Sequence, residues 1–382
     1  MSTPSYDTPS YDAVHAALAT VNDPEIHRPI TDLGMVAGID IAADGRVAVD
    51  VLLTTQGCPL RDRITRDVTA AVSAVAGVSG VEVRLGVMSD EQRAALRGQL
   101  QGNRAGREIV FAQPGSLTRI YAIASGKGGV GKSSTTANLA VAMAAEGLSV
   151  GVVDADVYGY SLPRMLGVSD RPTMVEGMIM PPEGHGVKLV SAGMFVPANR
   201  AIALRGPMLH KWLEQILGDA YFGDLDVLLL DLPPGTGDMA ISTAALLPSA
   251  EVVVVTTPQL AAREVAERAG AVALQTRLRV AGVIENMAGL PCPHCGEMVD
   301  VFGAGGGQAV ADSLTQLVGA PVPLLGSVPI DPRLREGGDA GVPIVLADPT
   351  SPAAVALRDI ATGLTGRSRS LVGRPLTLTP VS

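Results

Sequence analysis

The apolar and polar positions follow two different patterns along the chain, and the change comes near residue 117. Upstream of that point, apolar residues recur at helical spacing in two stretches and form strand-like runs in two others. These patterns predict helices over 13–21 and 61–75 and strands over 47–53 and 81–85. The mixture is typical of a small α+β domain.

Downstream of residue 117, near-continuous runs of Val, Ile and Leu alternate with helical stretches. Such runs indicate strands buried on both faces, as in a mainly parallel sheet flanked by helices. In such a sheet the ligand binds beyond the carboxyl ends of the strands, so the residues after each strand are the candidates for function. Strands are predicted at 120–124, 150–153, 227–230, 252–256, 280–284 and 324–328, and helices at 134–145, 208–217 and 261–278.

Composition shifts along the chain suggest the domain boundaries. A duplicated Thr-Pro-Ser-Tyr-Asp motif predicts a disordered tail, and a polar stretch with glycine separates the two patterns as a linker. The stretch 182–186 is expected to be a featureless loop. The predicted organisation is a tail over 1–10, an α+β domain over 11–100, a linker over 101–116, an α/β domain over 117–366 and a tail over 367–382.

Composition and charge narrow the classes of function. The 382 residues are 47% hydrophobic but only 3% aromatic, so the core must be built from Ala, Val, Leu and Ile. A net charge of −9 argues against non-specific binding to nucleic acid, which needs a basic surface. No apolar run reaches the ~18 residues of a bilayer span, and three cysteines are too few for a secreted disulfide framework. We therefore expect a cytoplasmic protein with no membrane and no nucleic-acid partner.

The first strand of the α/β domain runs into a loop with the pattern G-x-x-x-x-G-K-[ST]. Glycines let such a loop turn its backbone N–H groups onto a phosphate, because no Cβ obstructs the approach. Lys132 is expected to reach the outer phosphates and the Ser133 hydroxyl to bind Mg²⁺, while Lys127 suggests a second cation for phosphoryl transfer, able to act across a dimer interface. Two of the four lysines in the chain lie in this loop, which argues against an incidental glycine turn. The nucleotide-binding candidates here are Gly126, Lys127, Gly128, Gly129, Val130, Gly131, Lys132, Ser133 and Ser134.

The next two strands along the predicted sheet end in turns that contain aspartate. Asp154 and Asp156 follow one strand, and Asp231 follows the other, with Gly235 in a stiff Pro-Pro-Gly turn. A carboxylate beside the phosphate loop is where Mg²⁺ is held through water, which suits Asp231. Asp156 is expected to position the attacking water or accept its proton, and the Gly235 N–H to contact the γ-phosphate. Each aspartate alone is as readily a cap or turn residue, and the order at successive strand ends favours nucleotide binding.

Cys292 and Cys295 form a C-x-x-C motif, which places two thiolates on one tight turn as half of a tetrahedral metal site. The third cysteine, Cys58, lies in the N-terminal domain, so two copies of the chain would be needed to supply four ligands for a [4Fe–4S] cluster. An intersubunit zinc site, a thioredoxin-like redox pair and a motif without metal are the alternatives. Cys58 itself, between Gly57 and Pro59, is either a small buried residue or an accessible thiol in a turn.

On these motifs, the chain resembles the Mrp-type (ApbC-type) iron–sulfur carrier ATPases, in the MinD/ParA branch of P-loop NTPases, over about residues 11–365. The loop from Lys127 to Ser133 matches the deviant Walker A sequence of that family, whose first lysine contacts the nucleotide of the partner subunit. The resemblance implies that Asn286 recognises adenine, that the segment at Pro329 closes over the base, and that the cysteine pair bridges a cluster. Residues 11–100 are similar to the MIP18 (DUF59) family, often associated with cluster assembly.

The resemblance implies a homodimeric carrier with ATP, Mg²⁺ and a [4Fe–4S] cluster. Slow ATP hydrolysis would be coupled to loading the cluster from an assembly scaffold or passing it to apo iron–sulfur proteins. Two rivals share the fold: a MinD/ParA-like positioning ATPase with structural zinc, and an electron-donating reductase with an intersubunit cluster. The segment after residue 366 carries no apolar stripe at helical spacing, which argues against a membrane-bound positioning ATPase.

Overall fold

The structure, a computed structural model, describes residues 8–54, 60–101, 108–113, 115–195, 206–235, 238–259, 275–292 and 294–366. The chain splits into two units, of which the first comprises Met1–Gly106 with Thr173–Met180 and the second comprises Arg107–Pro172 with Pro181–Ser382. Each unit has its own sheet.

The first unit is an α+β structure around a three-stranded sheet in which β2 pairs antiparallel with β1 and parallel with β3. Helix α2 buries Ile64, Val68 and Val72, a spacing of four residues that puts all three on one helix face. Strand β1 and helix α3 are absent from the sequence-based prediction, because neither carries a regular apolar pattern. Within residues 8–101 its elements are α1 (Tyr11–Leu18), β1 (Val36–Ile41), β2 (Arg46–Leu53), α2 (Arg61–Ser73), β3 (Gly80–Val87) and α3 (Asp90–Gln101).

The remaining chain contributes twelve described strands and eight described α-helices. The strands are β4 (Arg119–Ala124), β5 (Val150–Asp154), β6 (Thr173–Val175), β7 (Met178–Met180), β8 (Glu183–Gly184), β9 (Val187–Ser191), β10 (Val227–Asp231), β11 (Glu251–Thr256), β12 (Arg279–Asn286), β13 (Leu290–Pro291), β14 (Met298–Val299) and β15 (Leu324–Val328). The helices are α4 (Lys132–Ala145), α5 (Leu162–Met165), α6 (Gly206–Asp219), α7 (Asp238–Leu246), α8 (Gly306–Val318), α9 (Pro332–Ala340), α10 (Ile344–Ala347) and α11 (Pro352–Thr365).

The second unit is built on an eight-stranded sheet with the order β15-β12-β11-β4-β10-β5-β9-β8 among the described residues. Every neighbouring pair is parallel except β8 with β9. All six strands predicted from the sequence are present in it, so the predicted fold class is confirmed. The predicted loop over 182–186 instead contains β8. The sequence did not predict this strand because two residues are too few to show an alternating pattern.

Helices cover the sheet on both faces, which is why the strands are apolar throughout. On one face, Leu139 and Met143 of α4 join Leu357 and Leu364 of α11 in the core. Alternate strand residues point to the other face and are also buried, as Leu228 and Leu230 of β10 show. The predicted helix over 261–278 lies largely outside the described residues.

The second half of the predicted linker packs against the second unit. Val110–Ala112 form a 3₁₀ turn in which Phe111 is buried and meets Phe222 edge-on, with 6.0 Å between ring centroids. The predicted domain bounds themselves stay a prediction. Within the described residues, no helix combines the length and apolarity needed to cross a membrane.

Candidate functional site

The parallel strands bring the predicted nucleotide residues to one edge of the large sheet. Asp231 and Asp154 end neighbouring strands and are paired in register, and Asp231 also lies opposite Ile123 of β4. The phosphate loop follows β4, Asn286 ends β12, and Pro329 follows β15. Residues far apart in the chain therefore meet beyond the carboxyl ends of the strands, as expected for an open α/β sheet.

The phosphate loop turns from β4 into α4 through two glycines in left-handed conformation. Gly129 and Gly131 have φ of +79° and +81°, which costs other residues about 1–2 kcal/mol. A Cβ at Gly131 would also overlap the side-chain amide of Asn286. Because Gly131 is the N-cap of α4, the loop ends where the helix leaves free N–H groups for a phosphate.

Asp231 binds the side chains that are predicted to hold phosphate and Mg²⁺. Lys132 Nζ lies 2.7 Å from Asp231 Oδ2, with 6% and 1% of the two side chains exposed. Ser133 Oγ donates to the same oxygen at 2.6 Å, and Thr136 Oγ1 donates to Oδ1 at 2.8 Å. An ammonium group and two hydroxyls beside a buried carboxylate fit a magnesium–phosphate ligand, whose phosphate would replace the carboxylate as the partner of Lys132.

The carboxylate of Asp154 stabilises the turn that follows β5. It accepts hydrogen bonds from the N–H groups of Asp156, Ser161 and Leu162 and from the hydroxyl of Ser191. Complete burial, and then the nearby charge of Asp231, raise the pKa of Asp154 to about 7. These hydrogen bonds hold the turn in place, and the predicted nucleotide contact of Asp154 stays a prediction.

Three other predicted residues lie at the same edge with defined partners. Asp156 accepts the Gly159 N–H at 3.1 Å within its own turn. The Gly235 N–H donates to Ser125 O at 2.8 Å, so it would have to leave that carbonyl to contact a γ-phosphate. Lys127 Nζ donates to Gln259 Oε1 at 2.7 Å.

A cavity of about 340 Å³ opens beside the phosphate loop. Ser134, Asn286 and Pro329 line it, together with Met287 and Ile330. Asn286 Nδ2 donates to the carbonyl of Val130 at 2.9 Å, which leaves Oδ1 as an acceptor. The volume is in the range of small-ligand pockets, and its position fits the base and sugar of a nucleotide whose phosphates lie on the loop.

Cys292 and Cys295 lie at the tip of the antiparallel hairpin β13–β14. The hairpin is closed by Cys292 N–H donating to Glu297 O at 2.8 Å and Gly296 N–H donating to Cys292 O at 2.9 Å. The N–H groups of His294 and Cys295 donate to the Cys292 sulfur and hold the pKa of its thiol below the usual cysteine value. This favours a thiolate, the form that binds metals.

Within the described ranges, no group of three or more His, Cys, Asp or Glu side chains could hold a metal ion. If the cysteine pair binds metal, it would supply two of the four ligands that a tetrahedral zinc site or a [4Fe–4S] cluster takes. Cys58 falls outside the described residues, so its predicted roles stay open.

Sequence reasoning missed Thr136, Gln259 and Glu285. Gln259 follows β11, so examining every strand end would have found it. Thr136 lies one helical turn after Lys132 and shares its face, which the 3.6-residue period would have shown. Glu285, a buried carboxylate on β12, carries no local signal because its partners are distant in the chain.

Comparisons with known proteins match both units. Residues 116–365 match the family described as NUBPL iron-transfer P-loop NTPase, and residues 11–85 match the family described as iron-sulfur cluster assembly protein. An iron-sulfur cluster carrier protein of Mycobacterium tuberculosis H37Rv is 59% identical over 368 residues, covering 96% of each chain. One from Deinococcus radiodurans is 41% identical over 358 residues, covering 93% of this chain and 95% of the other.

A solved structure extends the match to three dimensions. The nucleotide-binding protein of Archaeoglobus fulgidus in complex with ADP superposes with a TM-score of 0.53 at 33% identity. The likeness covers 62% of this chain and 92% of that protein. These matches confirm the resemblance and the fold class inferred from the sequence.

Proposed function

Because the chain belongs to the NUBPL iron-transfer P-loop NTPase family, we propose that it is an ATP-hydrolysing carrier of iron–sulfur clusters. The observation that carries the proposal is the pairing of a complete phosphate loop with a thiolate hairpin that holds only half of a ligand set. Two copies of the chain would supply the four thiolates of a [4Fe–4S] cluster, which is the cargo. The relatives named as carriers support the same conclusion.

In the proposed ATPase site, Lys132 leaves Asp231 and binds the outer phosphates. Ser133 would then be a ligand of Mg²⁺, and Asp231, freed from its bond to the lysine, would help to hold the ion. When bound, Mg²⁺ neutralises charge on the phosphates. Asp156 orients the attacking water, and the Gly235 N–H turns from the Ser125 carbonyl toward the γ-phosphate.

Adenine specificity is assigned to Asn286. Its Nδ2 is already bonded to the Val130 carbonyl, so Oδ1 is the atom that faces a base. An amide oxygen can accept a hydrogen bond from the exocyclic amine of adenine. It forms no hydrogen bond with O6 of guanine, because both atoms are acceptors. The segment at Pro329 closes over the base. We therefore propose ATP rather than GTP as the substrate.

Lys127 is proposed to act on the nucleotide of the second copy. Within one chain, its ammonium group donates a hydrogen bond to Gln259 Oε1 at 2.7 Å. Release from Gln259 when two subunits meet would bring a second cation to the site where charge develops in phosphoryl transfer. Hydrolysis would then require a dimer.

The first unit is proposed to dock a cluster-assembly scaffold or an apo iron–sulfur protein. Its match to the iron-sulfur cluster assembly family supports this role. The cytoplasm is the proposed compartment, because exposed thiols such as Cys295 persist in a reducing environment.

Anaerobic reconstitution with iron and sulfide tests the proposal. We expect a thiolate-to-iron absorption band, acid-labile sulfide, and one cluster per two chains in a species of dimer mass. The double change Cys292→Ser and Cys295→Ser should abolish the band, and Cys58→Ser is the matched control that should retain it. A band that survives the double change, a fully loaded monomer, or zinc in place of iron after anaerobic purification would refute the carrier function. The zinc outcome would favour a positioning ATPase.

A further inference from the structure

The hairpin with the cysteine pair leaves β12 directly from the wall of the base cavity. Met287 lines the cavity and has a φ of +61°, in the left-handed region. The next residue, Ala288, donates its N–H to Val328 O at 2.9 Å, and Gly289 O accepts the Ile330 N–H at 2.7 Å. Ile330 also lines the cavity. Two backbone hydrogen bonds therefore join the start of the cysteine segment (residues 287–305) to residues 328–330, which include the base-closing segment at Pro329.

The other end of the cysteine segment is tied to the same strand through Glu285. This side chain is 6% exposed and has hydrogen bonds to two elements. Oε1 accepts the N–H of Gly307 at 2.7 Å, in the first turn of α8, and Oε2 accepts the Ser327 hydroxyl at 3.0 Å. A Cβ at Gly307 would lie 2.6 Å from Glu285 Cβ, so the two backbones are in close contact.

Two consecutive residues of β12 therefore bond the phosphate loop and the helix that follows the cysteine hairpin. Asn286 bonds the phosphate loop through Val130, and Glu285 bonds the helix that follows the cysteine hairpin. Residues 287–305 lie between these anchors. A change in the position of the strand end would move the base contact and both ends of the cysteine segment together, since interiors are close-packed and transmit displacement.

We propose that adenine in the cavity and metal at the cysteine pair are coupled through this shared wall, with Glu285 as the positioning residue. The inference rests on the proposed function, because it takes both ligands from it. Each ligand stabilises the same arrangement of residues 285–289 and 328–330, so binding of one reduces the ordering cost of the other. Residues 285–289 and 328–330 include none of the residues proposed to contact the γ-phosphate, although Ser161 of the turn after β5 lines the same cavity. Coupling therefore depends on the base and needs no γ-phosphate.

Cobalt binding to the full chain measures the coupling. Co²⁺ bound to thiolates gives a charge-transfer band, and free Co²⁺ is held constant by a metal buffer so that chelation by nucleotide has no effect. We expect ADP to lower the Co²⁺ dissociation constant about fivefold or more, and pyrophosphate, which lacks the base, to leave it unchanged. Linkage requires ADP affinity to rise by the same factor in the Co²⁺-saturated protein. An unchanged dissociation constant with ADP, or an equal effect of pyrophosphate, would overturn the inference.

Variants at the strand end test the assigned residue. Glu285→Ala removes the acceptor of the Gly307 N–H and should bring the coupling factor to about one, while Glu285→Gln keeps an acceptor and should retain it. Ser327→Ala, which removes one hydroxyl at the same carboxylate, is the control that should retain coupling. Coupling that persists in Glu285→Ala would overturn the positioning role. The wild-type measurement decides the shared-wall coupling even if that variant does not fold. Absence of the cobalt band in the wild type, with Cys292→Ser and Cys295→Ser as reference, would overturn the proposed function and this inference together.

Discussion

Alanine substitutions at three glycines of the phosphate loop separate backbone strain from side-chain overlap. Gly128 does not have a positive φ, and a Cβ added to it would have no atom within 4 Å. Gly129 has a positive φ and the same open space, whereas Gly131 has a positive φ and faces the Asn286 amide. An alanine at Gly128 should therefore meet neither backbone strain nor overlap. At Gly129 it should meet strain alone, and at Gly131 it should meet both.

The structure sets the order of destabilisation. Gly128→Ala should change the free energy of unfolding by less than about 0.5 kcal/mol. Gly129→Ala should cost about 1–2 kcal/mol for a left-handed alanine. Gly131→Ala should cost that and a further ~1–3 kcal/mol, because Asn286 must leave the buried Val130 carbonyl without its donor.

Urea unfolding without added nucleotide measures these differences. The chain has a single tryptophan, Trp212, which lies in α6 of the second unit, so its fluorescence reports on the unit that contains the loop. The decisive comparison repeats Gly131→Ala in an Asn286→Ala background, where the overlap is gone. There the cost of the glycine change should fall to that of Gly129→Ala. An equal cost of Gly131→Ala in both backgrounds would refute the assigned contact.

Three further perturbations address the charged groups. Because burial raises the pKa of Asp154 to about 7, the folded state retains a proton that the unfolded chain releases. The contribution of this residue to the free energy of unfolding therefore falls by about 4 kcal/mol as pH rises from ~4 to ~7. Urea titrations across that range should show this fall in the wild type but not in Asp154→Asn. Lys127→Ala should reduce phosphate release far more than ATP affinity measured by calorimetry, and equal losses would make the lysine a binding residue only. Asp231→Asn leaves Lys132 buried without its counter-charge and should destabilise the protein by about 3–5 kcal/mol without nucleotide. Pyrophosphate without Mg²⁺ should raise the melting temperature of this variant more than that of the wild type, and equal shifts would contradict the ion pair.

Some parts of the fold were predictable because their signals are local. The strand that ends at Asp231 reads as an unbroken run of Val and Leu, since helices cover both of its faces. The antiparallel edge at Glu183–Gly184 was not predictable, because two residues carry no period. Helix α3 was missed for a related reason: Leu96 is the single buried residue in the part of the helix whose side chains are described, 90–100, so no apolar stripe marks it.

The candidate site divides in the same way. The spacing of Lys132 and Ser133 indicates phosphate chemistry before any coordinates, because a loop of glycines and a following helix are fixed by neighbours in the chain. The hydrogen-bond partners of Asp154 could not be read from its motif. The motif places this aspartate at a strand end but does not reveal that Ser161, Leu162 and Ser191 donate hydrogen bonds to its carboxylate.

The amino-acid sequence alone therefore establishes the class of sheet, the phosphate loop, the strand ends that carry carboxylates, and a thiol pair too small for a complete metal site. The three-dimensional arrangement was needed to show that Asp231 holds Lys132 and that Asn286 and Glu285, neighbours on β12, bond the phosphate loop and helix α8. The physical reason is that neighbours along the chain determine backbone conformation, whereas strand order and register determine which distant side chains come within hydrogen-bonding distance.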